Sequence, residues 1–274
     1  MASILNNVAA LGATRQLSIT SAGLQATIER LTTGRRINKA SDDAAGLGIS
    51  NQLGADIRIA TQGRRNANDG VSYLQVADGV LDEVTSLLTR ATELAQQSQT
   101  GTVSATNRSA LDAEFQNILL TIQDIGQSTK FNGTAVFGAS LTVAVAGFTS
   151  VNVSVGTVST TGATGVILGS LTIGTASLTT STGANTVATA LTSALTSVSN
   201  LRATIGAGQQ QLNSVSNSLG IQVENFTSAY SQIRDANVAD EVVNLTKFQI
   251  LNQSGTSALG QANQSSQSIL ALLR

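Results

Sequence analysis

Apolar residues recur every seven positions over long stretches of this chain. The longest row runs without a slip at Leu191, Val198, Ile205, Leu212, Leu219, Phe226 and Ile233. A second row, at Leu201, Val215, Ala229 and Ala236, occupies the alternating step. This spacing is typical of a helix that buries a seam against another helix. We therefore predict one long helix here, with its apolar rows in the core of the chain.

Two further segments show helical periodicity in the first half of the chain. In the first, the row Leu74, Leu81, Leu88, Ala95 alternates with the row Ala77, Val84, Ala91, Ser98. In the second, residues 105–127, one face carries Leu111, Phe115, Ile118, Leu119, Ile122 and Ile125. Both patterns predict amphipathic helices that pack against partners.

The two ends of the chain carry narrower apolar stripes. The stripe near the N-terminus consists of Leu17, Leu24, Ile28 and Leu31, and the stripe after Asp235 of Val238, Val242, Leu245 and Leu251. Glycines interrupt both segments, and helices of this kind are marginal alone. Burial inside the chain is one explanation of these stripes. We expect them instead to be buried mainly against other copies, because the chain offers them few partners.

The boundaries of the first two helices have local signals. Thr33 is followed by Gly34, and glycine tolerates the left-handed conformation that closes a helix. We predict that the second helix begins at Ser41, whose hydroxyl can cap the first turn. Asp42 and Asp43 follow where the helix dipole favours negative charge.

The middle of the chain has a different pattern. Residues 131–201 contain no charged residue, and "LTVAVAG" and "VNVSVG" alternate apolar and polar positions. Period two predicts short strands, with glycine at the turns. The predicted fold is therefore mainly α: a long antiparallel coiled-coil or helix bundle from both chain ends, with a small β-hairpin-rich insert. We divide it into an inner pair of terminal helices (1–40 and 236–274), a helical bundle (41–130 and 181–235) and the insert (131–180).

Composition narrows the possible functions. The 274 residues include no His, Cys, Pro or Trp, and only 11% are charged, for a net charge of -1. Zinc fingers, Ser-His-Asp triads, thiol proteases and iron–sulfur sites are impossible without His and Cys. We expect no enzyme activity, no cofactor and no nucleic-acid binding. No run approaches the roughly 20 apolar residues of a membrane span, and no cleavable signal peptide is visible, so we expect a soluble protein.

Several motifs, taken in order, resemble those of bacterial flagellin. They are "LTTGRRINKASDDAAGLGIS", "RRNANDGVSYLQVADGVL", "LTRATELAQQS", "KFNG" and the final "GTSALGQANQSSQSILALLR". The resemblance covers residues 1 to about 135 and 190 to 274, and it leaves out the middle. It implies terminal helices in the innermost layer of a tube, and bundle and insert in the next layer. The short insert implies a minimal form without large outer domains.

The resemblance also implies a function and partners. The chain would be the structural subunit of the flagellar filament, extracellular and exported unfolded through the flagellar secretion apparatus with an export chaperone. Its partners would be further copies and the hook-associated and cap proteins. A vertebrate Toll-like receptor is a further possible partner, because Arg90, Leu94 and Glu114 match the family's receptor-binding positions. A hook–filament junction protein and a secreted monomeric coiled-coil effector or adhesin are the alternatives. A zinc hydrolase in the middle is excluded, since residues 131–201 hold no His, Asp, Glu or Cys.

Residues 35–43 admit several interpretations. They lack the spacing and the following Lys of a phosphate-binding loop. Adjacent carboxylates at a helix start usually serve capping, which disfavours a metal site at Asp42 and Asp43. A solvated turn is the plain alternative. We expect a connecting spoke between inner helix and outer layer, with Arg35, Arg36, Lys39, Asp42 and Asp43 pairing between subunits.

Overall fold

The computed structural model describes residues 7–138, 140–145, 150–158 and 176–271. Its helices are α1 (Val8–Thr33), α2 (Ala44–Gln99), α3 (Ala105–Ser128), α4 (Ser181–Arg234) and α5 (Val238–Ala271). Its strands are β1 (Lys130–Phe131), β2 (Thr134–Ala135), β3 (Ser140–Val143) and β4 (Val151–Ser154). The mainly α fold with a small β-rich insert is thereby confirmed. The parts of the predicted insert at 139, 146–149 and 159–175 lie outside the described residues.

The chain forms two compact units. The terminal unit comprises Met1–Ile57 and Glu224–Arg274, and the central unit comprises Arg58–Val223. Helices α2 and α4 contribute residues to both units. The three-part division predicted from the sequence remains a prediction.

In the terminal unit, α1 and α5 lie antiparallel against each other. Near one end of the pair, Asn7 Nδ2 donates to the carbonyl of Ala262 at 3.2 Å, and further along Asn252 Nδ2 donates to Ser21 Oγ at 3.1 Å. The two buried residues of α1, Thr20 and Thr27, are both polar, and each has 2% of its surface exposed. A seam with polar residues at its centre contributes less hydrophobic stabilisation than a row of leucines.

The central unit has a continuous apolar core. Every residue of the two predicted α2 rows is fully buried: Leu74, Ala77, Leu81, Val84, Leu88, Ala91, Ala95 and Ser98. The predicted α4 row is buried from Leu191 to Leu219, and the α3 face contributes Phe115, Ile118, Leu119 and Ile122. The prediction of intrachain core is confirmed for these residues, whereas Phe226 and Ile233, the last two of the α4 row, are only half-buried. Antiparallel pairing of α2 with α4 is fixed by contacts such as Ser216 Oγ to Asn68 Oδ1 at 3.0 Å.

The insert forms two antiparallel hairpins, β1 with β2 and β3 with β4. In β4, Val151 and Val153 are buried while the residues between and after them are exposed, as period two predicts. Val153 approaches α4 at Gly208, where an added Cβ would lie 2.5 Å from Val153 Cγ2. Glycine at this position therefore lets the hairpin lie directly against the helix.

The start of α2 corrects one prediction. Gly34 does close α1 in the left-handed conformation, with φ 67°. However, α2 begins at Ala44, and Asp43 caps it: Asp43 Oδ1 accepts from the N–H of Gly46 at 2.9 Å. Ser41 is wrong as the first residue and the cap, because it lies in a turn closed by the N–H of Asp42 donating to the carbonyl of Lys39 at 3.0 Å.

Candidate assembly surfaces

The segment that joins α1 to α2 is held by backbone bonds to the end of α4. The N–H of Arg36 donates to the carbonyl of Arg234 at 2.7 Å, and the N–H of Ala236 donates to the carbonyl of Gly34 at 3.0 Å. Arg35 and Asp235 form an isolated antiparallel bridge between these bonds. The two connections of the terminal unit, α1 to α2 and α4 to α5, are thus fastened to each other.

The side chains of this segment are placed differently from one another. Arg35 and Arg36 are both exposed, and a guanidinium nitrogen of Arg36 donates to the carbonyl of Ile233 at 2.8 Å. Lys39 Nζ lies 2.7 Å from Glu29 Oε2, and this hydrogen-bonded pair raises the pKa of Lys39. Of the five predicted spoke residues, Lys39 is therefore ion-paired inside the chain.

Asp42 and Asp43 both serve the local backbone. Asp42 Oδ2 accepts from the N–H of Lys39 at 2.9 Å and from the N–H of Asn38 at 3.1 Å. These two backbone donors, that of Lys39 first, lower the pKa of Asp42. With Asp43 capping α2, both carboxylates have a structural function in the turn. In the described part of the chain, His, Cys, Asp and Glu form no group of three that could hold a metal ion.

A buried acidic residue stands at the start of α5. Glu241 is 7% exposed, and its Oε1 accepts from Arg30 on α1 at 3.4 Å. Its other oxygen is buried without a hydrogen-bond partner among the described residues. The sequence did not predict this burial, because a Glu in the first turn of a helix usually lies at the surface and interacts with the helix dipole.

The predicted terminal stripes divide between a seam and an outer face. Leu17, Leu24, Leu31 and Leu245 are half-buried, whereas Ile28, Val238, Val242 and Leu251 are exposed. The outer faces of α1 and α5 carry further exposed apolar residues that the stripes omitted: Val8, Leu11, Ile19, Val243 and Ile250. On α5 a shallow groove of about 460 Å³ is lined by Val242, Val243, Thr246, Lys247, Ile250 and Leu251. We call these six residues the α5 groove.

The predicted receptor positions are only partly at the surface. Arg90 Nε and Nη2 donate to Glu114 Oε1 at 3.0 and 2.8 Å, and Arg90 Nη1 donates to Glu93 at 3.1 Å. The hydrogen bond to Glu114 is the largest cause of a raised pKa of Arg90. Leu94, by contrast, is fully buried in the core. Arg90 and Glu114 are brought together, and Leu94 packs beneath the surface.

A cleft lies between α2 and the hairpins. It has a volume of about 440 Å³ and includes Asp69, Tyr73 and Phe131 in its lining. The Tyr73 hydroxyl donates to the carbonyl of Val136 at 2.8 Å, and burial raises the pKa of Tyr73. The ring of Phe131 meets Tyr73 edge-on, with 5.6 Å between centroids. These contacts fasten the hairpin to the helix.

None of the described helices is long and apolar enough to cross a membrane.

Comparison with known proteins finds two matching family models. The bacterial flagellin N-terminal helical region matches residues 4–142, and the C-terminal helical region matches residues 188–273. The flagellin of Halalkalibacterium halodurans is 37% identical over 274 residues, covering 99% of each chain. The flagellar filament 30.7 kDa core protein of Treponema maltophilum is 35% identical over 287 residues, covering 98% of this chain and 99% of the relative.

One further relative matched by sequence belongs to the same family. Bacillus subtilis flagellin is 32% identical over 302 residues, again covering 99% of both chains. The crystal structure of Bacillus cereus flagellin superposes on 57% of this chain and 88% of its own, with 27% identity and a TM-score of 0.49. The sequence matches extend over nearly the whole length of the chain, through both helical regions. The chain therefore belongs to the bacterial flagellin family.

Proposed function

We propose that this chain is the structural subunit of a bacterial flagellar filament and that copies polymerise through the outer faces of α1 and α5. The observation that carries this proposal is the row of exposed apolar residues on α5, four of which line the α5 groove: Val242, Val243, Ile250 and Leu251. Their exposed fractions run from 41% to 67%. Apolar surface gathered on one face of a thin helix pair is typical of a protein interaction site.

Self-association explains why this surface is tolerated. The seam of α1 and α5 has the buried polar residues Thr20 and Thr27 at its centre, so the pair alone gains limited hydrophobic stabilisation. Contact with further copies would remove the outer apolar faces from water and would stabilise the helices at the same time. Folding of the terminal segments and growth of the polymer are thereby coupled. The interface is between different patches on successive copies, because such heterologous contacts extend into open helical filaments.

In our proposal the connecting segment of residues 35–43 also contributes to this assembly. Arg35 is exposed, and its backbone is fixed by the bridge to Asp235. A guanidinium on a rigid backbone can pair with a carboxylate of a neighbouring copy at a lower entropy cost than one on a mobile loop. Lys39 and Asp42 are already engaged within the chain, so we assign them to positioning the segment.

We propose the remaining partners from the resemblance to the family. An extracellular filament requires export through the secretion apparatus, a chaperone for the exposed α5 face, and cap and hook-associated proteins at the two ends. We propose no catalytic function. Recognition by a vertebrate Toll-like receptor remains a prediction, in which Arg90 and Glu114 would meet the receptor directly and Leu94 would support them from below.

The experiment is seeded elongation of the purified protein, followed by electron microscopy. Intact chain, chain lacking residues 1–33 and chain lacking residues 240–274 are each added to short seeds, with an unseeded sample of the intact chain as control. We expect long filaments from the intact chain only. An intact chain that stays monomeric on competent seeds would favour the junction protein or the monomeric effector. Elongation by both truncated chains would remove α1 and α5 from the interface.

A further inference from the structure

The turn of the first hairpin contains the one Asn-Gly pair of the sequence, Asn132 followed by Gly133. Phe131 and Thr134 are paired across the hairpin, so Asn132 and Gly133 form a two-residue loop. Their φ angles are 49° and 81°, both in the left-handed region, as a type I′ turn requires. Both residues are exposed, and among the described residues the side-chain amide of Asn132 has no hydrogen-bond partner. The turn therefore presents this amide to water.

An asparagine that precedes a glycine is chemically reactive. The backbone nitrogen of Gly133 can attack Cγ of Asn132. The new C–N bond closes a succinimide ring, and the side-chain nitrogen leaves as ammonia, taking with it the proton of the Gly133 N–H. Water then opens the ring at either carbonyl, which gives aspartate or isoaspartate, whose backbone runs through Cγ. Glycine favours this attack because it has no Cβ to crowd its nitrogen.

The closed turn keeps the two reacting atoms apart. Attack requires the nitrogen of Gly133 to lie on the same side of the Asn132 Cα–C bond as Cβ. The left-handed conformation of Asn132 instead turns this nitrogen away from the side chain. The reaction can therefore proceed only after the turn has left this conformation, and that requires the β1–β2 pair to open locally.

Hydrogen bonds of Val136 hold the hairpin closed and attach it to α2. The N–H of Val136 donates to the carbonyl of Thr129 at 3.1 Å and so extends the pairing of β1 with β2. The carbonyl of Val136 accepts from the Tyr73 hydroxyl at 2.8 Å, and Val136 is fully buried. Loss of the Tyr73 hydroxyl would leave a buried carbonyl without this donor, which favours opening of the hairpin.

We propose that Asn132 is a modification site that is protected while the β1–β2 hairpin is closed and is deamidated when the hairpin opens. The isoaspartate product disfavours closing again, because it adds one backbone carbon to a loop that fits two ordinary residues. The aspartate product adds a carboxylate to the cleft that Asp69 also lines, and like charges repel. The reaction needs only one chain and water, so its test does not depend on whether copies polymerise.

The test compares the full-length chain folded in buffer with the same chain unfolded in guanidinium chloride, at one mildly alkaline pH. Samples taken over several days are digested, and mass spectrometry measures the fraction of Asn132 converted to aspartate and isoaspartate. We expect the folded chain to react at least about tenfold more slowly, because only its open fraction reacts. Asn152 in β4 is the internal control, since the branched side chain of Val153 crowds the attacking nitrogen, and it should stay unmodified in both samples.

Tyr73→Phe tests whether the contact with α2 controls the opening. With circular dichroism to show that the variant is folded, we expect conversion about fivefold faster or more than in wild type in buffer. In guanidinium chloride the two chains should react equally. Tyr230→Phe is the matched control, because it removes the hydroxyl of the other tyrosine of the chain, which lies in the terminal unit, and it should react as wild type does.

Three results would contradict the proposal. Equal rates in the folded and unfolded wild-type chain would overturn the protection of Asn132 by the turn. An Asn132 that stays unmodified in the unfolded chain would overturn the modification site itself. A folded Tyr73→Phe variant that reacts as slowly as wild type would overturn the control of opening by α2.

Discussion

The α5 groove allows a quantitative test of the terminal interface. Val243 is 67% exposed and Ile250 is 61% exposed, and they lie two turns apart on one face of α5. Burying a whole side chain of this size stabilises by about 1.5 to 3 kcal/mol. Burying the exposed fractions of these two side chains in a filament then stabilises the filament by about 1 to 2 kcal/mol for each residue. Replacing both by Ser should raise the residual monomer concentration about 30-fold or more, since about 1.4 kcal/mol corresponds to a factor of ten.

The measurement is the soluble monomer left after seeded elongation, determined by sedimentation, with circular dichroism to check that the central unit stays folded. Val76→Ser is the control, because Val76 is an exposed valine on α2 in the central unit, 38% exposed, and outside the α5 groove. We expect the control to behave as wild type. If the double variant Val243→Ser, Ile250→Ser leaves the same monomer concentration as wild type, the α5 groove is not buried in the polymer and the proposed interface is wrong.

Two further predictions concern the fold of each unit. In the central unit, Gly208→Ala should destabilise by about 1 to 3 kcal/mol in urea unfolding, because its methyl group meets Val153. Gly206→Ala, on the same helix with nothing within 4 Å, should stabilise by up to about 1 kcal/mol, and equal effects of the two would contradict the close approach. In the terminal unit, the hydrogen bond from the N–H of Lys39 lowers the pKa of Asp42 in the folded protein. The Asp42 carboxylate therefore contributes stability at pH values above its unfolded pKa, about 3.9. This contribution is lost as the pH falls through the lower folded pKa. The Lys39 amide proton should shift as an NMR titration proceeds from about pH 6 to about pH 2, and in Asp42→Asn it should not.

The helices of this chain could be predicted from the sequence because their signals are local and repeated. The seven-residue row of α4 fixes both the helix and its buried face, and the buried residues Leu191 to Leu219 follow it closely. The end of α1 depends on one glycine, whose φ of 67° is the conformation that its position predicts. These features require no knowledge of distant residues.

Other features depend on contacts between distant residues and could not be predicted in this way. Ser41 and Asp43 are equally good caps by type, and the turn closed between Lys39 and Asp42 decides between them. Leu94 lies outside the two predicted rows of α2, and its full burial in the core depends on tertiary packing that the local pattern does not show. From the sequence alone, a glycine such as Gly208 indicates only a less stable helix. Its role in close packing becomes visible once the hairpin that lies against it is known.

The helix pair of the terminal unit is well fastened at one end and weakly stabilised along its length. At the fastened end, backbone hydrogen bonds between the segments around Gly34 and Ala236 hold the two connections together. Along its length, the seam between α1 and α5 contains buried threonines. One carboxylate oxygen of Glu241 is also buried without a donor among the described residues. This oxygen disfavours the packing of α5 against α1, because a buried acceptor has lost its hydrogen bonds to water. A helix pair built in this way is aligned at one end but gains little from closing alone. Its remaining stabilisation must come from outside, and the exposed apolar faces of α1 and α5 are the surfaces through which further copies can supply it.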